Sequence, residues 1–290
     1  MSRNMGVNVS GIIDVWDVQT FDSGLSERLE QSTDLIREYF EIDHQIFLSH
    51  DLDRGEGRSM LRPNNPYAAD FHKFQDRIGL EIVTRTIRAY HYTRLTDDES
   101  VNLLRDGIHL STPETLRQRL DAVVASGGLT PSESDQLYEK SPFHSDQLRA
   151  RSGKFWLTSH PIAIDDNGVV PLMKCWGGEV ASMWIRDPAL SGSLAQLGRP
   201  RIIEVAVPLN VTKHAHSAAC SIVATFARSR GGIPGKQAFD LYVENALPAN
   251  AVLAVRTEGE PEFESMGRGY PNGFVDVNVS RWKELTGEED

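Results

Sequence analysis

The chain has 290 residues, of which 40% are hydrophobic and 24% are charged, and its formal net charge is -11. This composition is that of an ordinary globular protein, long enough for one large domain or two small ones. The negative charge opposes the approach to phosphate backbones and anionic lipids, so it excludes general nucleic-acid binding outside a local basic groove.

The sequence carries no pattern typical of export or of a membrane span. Its first residues lack a basic start followed by a long apolar run, and no later segment approaches ~18 uninterrupted apolar residues. Cys175 and Cys220 each stand alone without a CxxC partner, which favours a reducing compartment and argues against a structural zinc or a disulfide frame. We expect a cytoplasmic protein with two buried thiols, no membrane contact and no bound metal.

Residues 1–86 have a different pattern of predicted elements from the rest and are predicted to form an N-terminal extension or cap of α/β character. GIIDVWDV is a strand candidate, the acidic stretch from Ser26 to Tyr39 has a helical pattern, and DLDRGEGRSMLRPNNP is typical of an exposed linker. NNPYAADFHKFQDRIGLEIV predicts a helix that runs into the next strand. We expect this extension to pack over or beside a cleft of the following domain, which spans residues 87–290.

The second part of the chain has an α+β pattern, in which short strands alternate irregularly with helices. The predicted strands are rich in β-branched and aromatic residues: IRAYHYT, KFWLTSH, RIIEVAVPL, AFDLYVE, AVLAVRT and FVDVNV. Three helices between them have clear start signals: Thr96 with Glu99, Thr112 before Pro113, and Thr130 with Glu133. Gly107 and Gly127 are plausible helix stops.

The first strand of this part ends in YHYT, which sets a histidine and a threonine on one face. In a strand, His91 and Thr93 point to the same side, and Tyr90 and Tyr92 share the other. Such a strand can offer hydrogen bonds to a ribose or an amide while aromatic rings pack nearby. The alternative is a half-buried structural strand whose polar face is satisfied within the protein.

Two later strands also end in polar groups. KFWLTSHP gathers Thr158, Ser159 and His160 at a strand end, and Pro161 stops the ladder there, which suits a sheet edge or a cleft rim. In FDLYVENALP, Glu244 closes an apolar strand on the same face as Tyr242. A carboxylate beside aromatic rings can stabilise a developing positive charge, as oxocarbenium chemistry of a sugar requires.

In this order the three segments resemble the ADP-ribosyltransferase fold. That superfamily carries a His or Arg on an early strand, a Tyr or Ser/Thr on a middle strand, and a Glu on a late strand before a proline-containing turn. The YHYT start, followed by a helix and a GI-x-LS strand, is similar to the branch with the diphtheria toxin, poly(ADP-ribose) polymerases, tRNA 2'-phosphotransferases and DNA-modifying toxins. The resemblance covers residues 88 to about 257. It implies a split, mostly antiparallel β core with flanking helices, in which the strands of His91, Ser159 and Glu244 meet at one cleft.

The resemblance also implies NAD as the substrate and assigns residues to it. His91 would hydrogen-bond a ribose hydroxyl, and Glu244 would hold the nicotinamide ribose and stabilise the oxocarbenium-like state. The implied catalytic set is Glu244, His91 and Tyr242, and the implied NAD-binding set is His91, Tyr92, Thr93, Trp156, Thr158 and Ser159. No metal is implied.

Two positions depart from the family pattern. Tyr242 stands where arginine-modifying members carry Glu or Gln, and Tyr92 stands where polymerase-type members carry Gly. The implied activity is therefore ADP-ribosyl transfer to another macromolecular acceptor, protein or nucleic acid, by a bacterial toxin or antiviral defence effector. NAD hydrolysis without an acceptor, or a non-catalytic nucleotide- or protein-binding module of the same fold, are the alternatives.

A rival carboxylate lies in MKCWGGEVASMW, where Glu179 follows a Gly-Gly turn. It either acts in catalysis or sits in the first turn of a helix and interacts with the helix dipole, and the second interpretation is favoured. Glu204 is expected to be a strand residue.

Overall fold

The computed structural model of the protein describes residues 11–51, 61–235 and 237–268. The predicted strand FVDVNV lies outside these ranges, as do residues 52–60 of the expected linker.

A five-stranded antiparallel sheet, flanked by helices, forms the centre of an α+β structure. Its strand order is β4-β2-β1-β3-β5, and every strand pair is antiparallel. Five of the predicted strands are confirmed: β1 (Thr86–Leu95), β2 (Phe155–Thr158), β3 (Arg199–Pro208), β4 (Asp240–Val243) and β5 (Val252–Thr257).

Helices lie before and between the strands. In the described ranges they are α1 (Ser23–Glu30), α2 (Thr33–Ile46), α3 (Ala68–Ile82), α4 (Asp97–Asp106), α5 (Pro113–Ala125), α6 (Pro131–Glu139), α7 (Leu148–Arg151), α8 (Val170–Lys174), α9 (Pro188–Gln196), α10 (Ala215–Ser229) and α11 (Pro261–Met266). The three predicted helix starts are confirmed, because the side chains of Thr96, Thr112 and Thr130 each accept a hydrogen bond from a first-turn amide. None of these helices is long and apolar enough to cross a bilayer.

Gly107 ends α4 and lets the chain approach the turn after β4. Its φ of 87° is in the left-handed region, and an added Cβ would lie 2.2 Å from the Leu247 carbonyl oxygen. Beyond it, Ile108 bridges to Leu247 and Ser111 bridges to Lys154. The expected GI-x-LS strand is thus only a pair of isolated bridges, which tie together the end of β4 and the start of β2.

The predicted strand at residues 11–18 is wrong. Ile13 alone makes a parallel bridge, to Ile87, and the chain then turns into a 3-10 helix, Val18–Thr20. The Thr20 hydroxyl accepts from the Asp14 amide at 2.9 Å and donates to the Asp17 carbonyl at 2.7 Å. These local side-chain hydrogen bonds give the backbone an alternative to a strand ladder.

The helical stretch expected from Ser26 to Tyr39 is two helices, α1 and α2, separated at residues 31–32. Together with α3 they share one core with the sheet and α10. Leu25, Phe74 and Ile78 are almost fully buried in the same cluster as Ile87 and Val205. The described N-terminal residues are therefore part of the main core and stabilise the sheet.

The two faces of the sheet have different neighbours. Ile87, Ala89 and Ile203 point into the main core. On the opposite face, Tyr90 and Tyr92 pack in a second core with Met173 of α8 and Phe263 of α11.

A third core is built around the fully buried Trp176, between α5, α6 and α9. The Cys175 thiol is buried there, as predicted. The prediction for Cys220 is wrong, because its side chain is only partly buried, beside the exposed His216 on α10.

Candidate functional site

The three strands that carry the predicted site residues are direct neighbours in the sheet. In the order β4-β2-β1, the strand before Glu244 lies beside the Trp156 strand, and that strand lies beside the His91 strand. Trp156 stands opposite Tyr242, and Thr158 stands opposite Tyr90. Adjacent strands are about 4.8 Å apart, so segments more than 150 residues apart in the chain come within roughly 10 Å.

The alternation of side chains divides the predicted residues between the two faces. His91 and Thr93 share the face of the main core, since His91 pairs with Ile203. The other face carries Tyr90 and Tyr92, together with Thr158, Trp156 and Tyr242 on the neighbouring strands. Thr158 pairs with Tyr90, Trp156 lies two residues before Thr158, and Tyr242 pairs with Trp156. The sheet therefore does not bring the whole predicted set onto one surface. Glu244 follows the last residue of β4, where the ladder no longer fixes the side to which a side chain points.

The His91 ring is held in one tautomer. Its Nδ1 lies 2.8 Å from the Trp156 carbonyl oxygen, and because a carbonyl only accepts, Nδ1 carries the hydrogen. Nε2 is then an acceptor, with no hydrogen-bond partner among the described residues. The ring also lies 4.4 Å from the Phe155 ring. This arrangement gives the central strand β1 an acceptor atom in a fixed orientation.

Burial and the nearby positive charge of Arg119 lower the pKa of His91 to about 4, and the hydrogen bond to Trp156 offsets this only in part. The imidazole is therefore neutral at physiological pH. A neutral ring can accept a hydroxyl hydrogen at Nε2, which an imidazolium is unable to do.

Acid should destabilise the protein through His91. The unfolded chain, with an ordinary histidine pKa near 6.5, binds this proton between pH 6.5 and 4, and the folded protein does not. The stability contributed by the neutral ring is complete above pH 6.5 and is lost as pH falls through that window, by up to about 3 kcal/mol. Urea unfolding at pH 7 and pH 4 gives the free energy of unfolding of wild type and of His91→Gln. The wild type should lose more of it on acidification than the variant, and an equal loss in both would contradict the prediction.

Glu244 lies at the exposed end of β4. Its side chain is 45% exposed, and Oε2 lies 3.0 Å from the Lys213 ammonium. Nearby, the Tyr242 ring is 4.8 Å from that of Trp156 and 5.1 Å from that of His214, and Lys154 lies 4.7 Å above it. The carboxylate thus follows a strand that carries half-buried aromatic rings, and its partner is an exposed ammonium.

Several predicted NAD-binding residues have their polar groups bonded inside the protein. The Tyr92 hydroxyl donates to the Ile162 carbonyl and accepts from the Ile162 amide at 2.6 Å. Ser159 is fully buried, and its hydroxyl accepts from the Phe239 amide at 3.1 Å. The Thr158 hydroxyl lies 3.4 Å from the buried His160 ring. In the structure these side chains join β1 and the start of β4 to the loop that follows β2.

The rival carboxylate Glu179 is engaged elsewhere. Gly177 and Gly178 both have positive φ values, and the residues after them form a single 3-10 turn, Gly178–Val180, instead of the expected α-helix start. The Glu179 carboxylate pairs with Arg151, and its carbonyl accepts from the Trp184 indole. Its contacts are those of a structural residue.

The sequence did not predict the hydrogen-bond network around Glu99. Beyond capping α4, this carboxylate accepts from the Trp176 indole and from Arg119 Nε, each at 2.7 Å. Burial alone would raise the pKa of Glu99, but Arg119, the Thr96 amide and the Trp176 indole together hold it below its ordinary value. Glu99 therefore joins the WGGE segment to Arg119, whose charge reaches His91.

Comparison with known proteins gives no relative: the chain matches no family model, no curated protein and no solved structure. Across the described ranges, no group of three or more His, Cys, Asp or Glu side chains is placed to hold a metal ion. The chemistry of the site has to be inferred from His91, Glu244 and the residues around them.

Proposed function

We propose that this chain is an NAD-dependent ADP-ribosyltransferase with an ADP-ribosyltransferase-like fold. The observation that supports this most strongly is the strand order β4-β2-β1. It sets the end of the Glu244 strand two strands away from His91, and the resemblance implies that these strands meet at one cleft. A toxin or antiviral defence effector acting in the cytoplasm is the role that the resemblance favours.

His91 is the ribose-binding residue in this proposal. Its Nδ1 is occupied by the Trp156 carbonyl, so the free Nε2 accepts the hydrogen of a ribose hydroxyl. Because the pKa of His91 is about 4, this acceptor persists across the physiological pH range. Thr93, on the same face, lines the site beside it.

Glu244 is the catalytic carboxylate. The C1'–N bond to nicotinamide breaks with its electron pair going to the nicotinamide ring, and positive charge develops on the ribose. A fixed carboxylate stabilises that charge. Both side chains of the Lys213 pair are exposed to solvent, so the pair holds the carboxylate only weakly. Glu244 is therefore free to turn from Lys213 to the ribose.

The acceptor supplies a lone pair that forms the new bond to C1' and then loses a proton to solvent. Tyr242 lies two residues before Glu244, where a second carboxylate would be needed to activate a guanidinium. The acceptor is therefore a protein or nucleic-acid group other than arginine.

The experiment that tests the function uses NAD labelled in the nicotinamide and, separately, in the adenine. Free nicotinamide with the adenine label on a macromolecule supports transfer, and free nicotinamide with free ADP-ribose shows hydrolysis instead. Binding of NAD without nicotinamide release would show a non-catalytic module. If the protein neither bound NAD nor released nicotinamide from it, NAD would be excluded as the substrate.

A further inference from the structure

A cavity of about 400 Å³ lies on the face of the sheet opposite to His91. Its lining combines aromatic and apolar side chains with ionisable ones: Trp16, Tyr90 and Met266, and Asp14, Arg88 and Glu204. Concave sites of this size, with apolar walls and a few polar groups, are typical of places that bind small organic molecules. The proposed function uses none of these residues, so the cavity is a second candidate site.

Within the described lining of this cavity, negative charge exceeds positive charge. Asp14 and Glu204 are carboxylates, and Arg88 is the cation that pairs with both. The two oxygens of Glu204 are occupied, one by Arg88 and the other by Arg256. The chain as a whole also has a net charge of -11. These charges favour a cationic ligand over an anionic one.

Asp14 keeps one carboxylate oxygen open to the cavity. Its Oδ1 accepts from Arg88 Nε at 2.8 Å, whereas Oδ2 has no hydrogen-bond partner among the described residues and is not sealed from solvent. The residue as a whole is only 8% exposed. Burial raises the pKa of Asp14, and the attraction of Arg88 offsets this only in part. The carboxylate is therefore short of positive charge, which a ligand could supply at Oδ2.

We propose that this cavity binds a primary amine that carries an apolar body. The ammonium donates to Asp14 Oδ2, where a charge-assisted hydrogen bond is stronger than a neutral one. The aromatic rings of Trp16 and Tyr90 in the wall attract a cation further, and Met266 packs against the apolar body. The site does not rest on the proposed function, because it lies on the other face of the sheet.

The test uses three probes of similar shape that differ in charge at pH 7. They are 2-phenylethylamine, a cation, 2-phenylethanol, which is neutral, and 3-phenylpropionate, an anion. Calorimetry on the full chain gives the Kd for each. We expect the amine to bind on the order of 10-fold more tightly than the alcohol, the lower range for a hydrogen bond between charged groups. The propionate should bind most weakly, because Asp14 and Glu204 repel it.

Asp14→Asn keeps the shape of the side chain and removes its charge. It should weaken the binding of the amine on the order of 10- to 100-fold and leave the binding of the alcohol unchanged. Ser265→Trp places a large side chain in the cavity from an exposed position on α11. It should weaken both probes, and it remains informative if Asp14→Asn does not fold. Circular dichroism confirms that each variant is folded.

Glu262→Gln is the matched control. It removes one negative charge from an exposed position on the same helix, outside the described lining, and both probes should bind it as they bind the wild type. If Glu262→Gln weakened the amine as much as Asp14→Asn, the overall field and not the Asp14 contact would attract the ligand, and the inference would be wrong.

Two results with the wild type would overturn the inference: no binding of the amine, or equal affinity for the amine and the alcohol. Wild-type affinity for the amine in folded Asp14→Asn or in folded Ser265→Trp would also overturn it. Failure of the proposed function looks different, because a protein that releases no nicotinamide from NAD would still bind the amine in an Asp14-dependent way.

Discussion

Glu244→Gln is expected to slow nicotinamide release from NAD on the order of 100-fold or more, the usual cost of removing a well-placed electrostatic contact in a transition state. The change keeps the shape of the side chain and removes its charge. Binding of NAD should weaken much less, because the contact strengthens only as positive charge develops on the ribose. Steady-state rates and the Kd for NAD check both parts.

Glu179→Gln is the matched control. This carboxylate pairs with Arg151 and should have little effect on the chemical step. If Glu244→Gln kept near-normal nicotinamide release while folded Glu179→Gln lost it, the catalytic centre would belong to the WGGE segment. The assignment of the late strand would then be wrong.

Glu204→Gln is expected to lower the free energy of unfolding by about 3 kcal/mol, the low end for breaking a buried ion pair from one side. Glu204 is 3% exposed and accepts hydrogen bonds from Arg256, at 2.8 Å, and from Arg88. Arg88 also pairs with Asp14 at 2.8 Å. The amide would leave two guanidinium groups with too little negative charge around them.

Urea unfolding of Glu204→Gln beside Glu258→Gln measures this effect. Glu258 lies on the exposed turn after β5, and its replacement should change the free energy of unfolding by no more than about 0.5 kcal/mol. A loss below about 1 kcal/mol for Glu204→Gln would show that the network on this face adds little to stability.

Local signals explain why so much of the fold could be predicted from the sequence. Five strands follow from runs of β-branched and aromatic residues, and three helix starts follow from threonine caps, because both depend on neighbours within a few residues. The error at residues 11–18 has the same local origin. There the Thr20 hydroxyl forms a turn with Asp14 and Asp17, which outweighs the apolar pattern.

The candidate site was less predictable because it depends on register and on long-range pairs. The sequence correctly separates His91 from Tyr90 and Tyr92, since alternation within one strand is local. It gives no information on which face Tyr242 shares, because that depends on its pairing with Trp156 across two strands. The contact between Glu99 and Trp176 joins residues 77 positions apart, and no nearby residue signals it.

A structure of Glu244→Gln with intact NAD tests most directly whether NAD is bound and cleaved at His91 and Glu244. We expect a ribose hydroxyl within about 3 Å of His91 Nε2, with C1' of the nicotinamide ribose facing residue 244. On the opposite face of the sheet, Asp14, Arg88 and Glu204 line a cavity of about 400 Å³. NAD bound in that cavity, away from His91 and residue 244, would contradict the proposed chemistry.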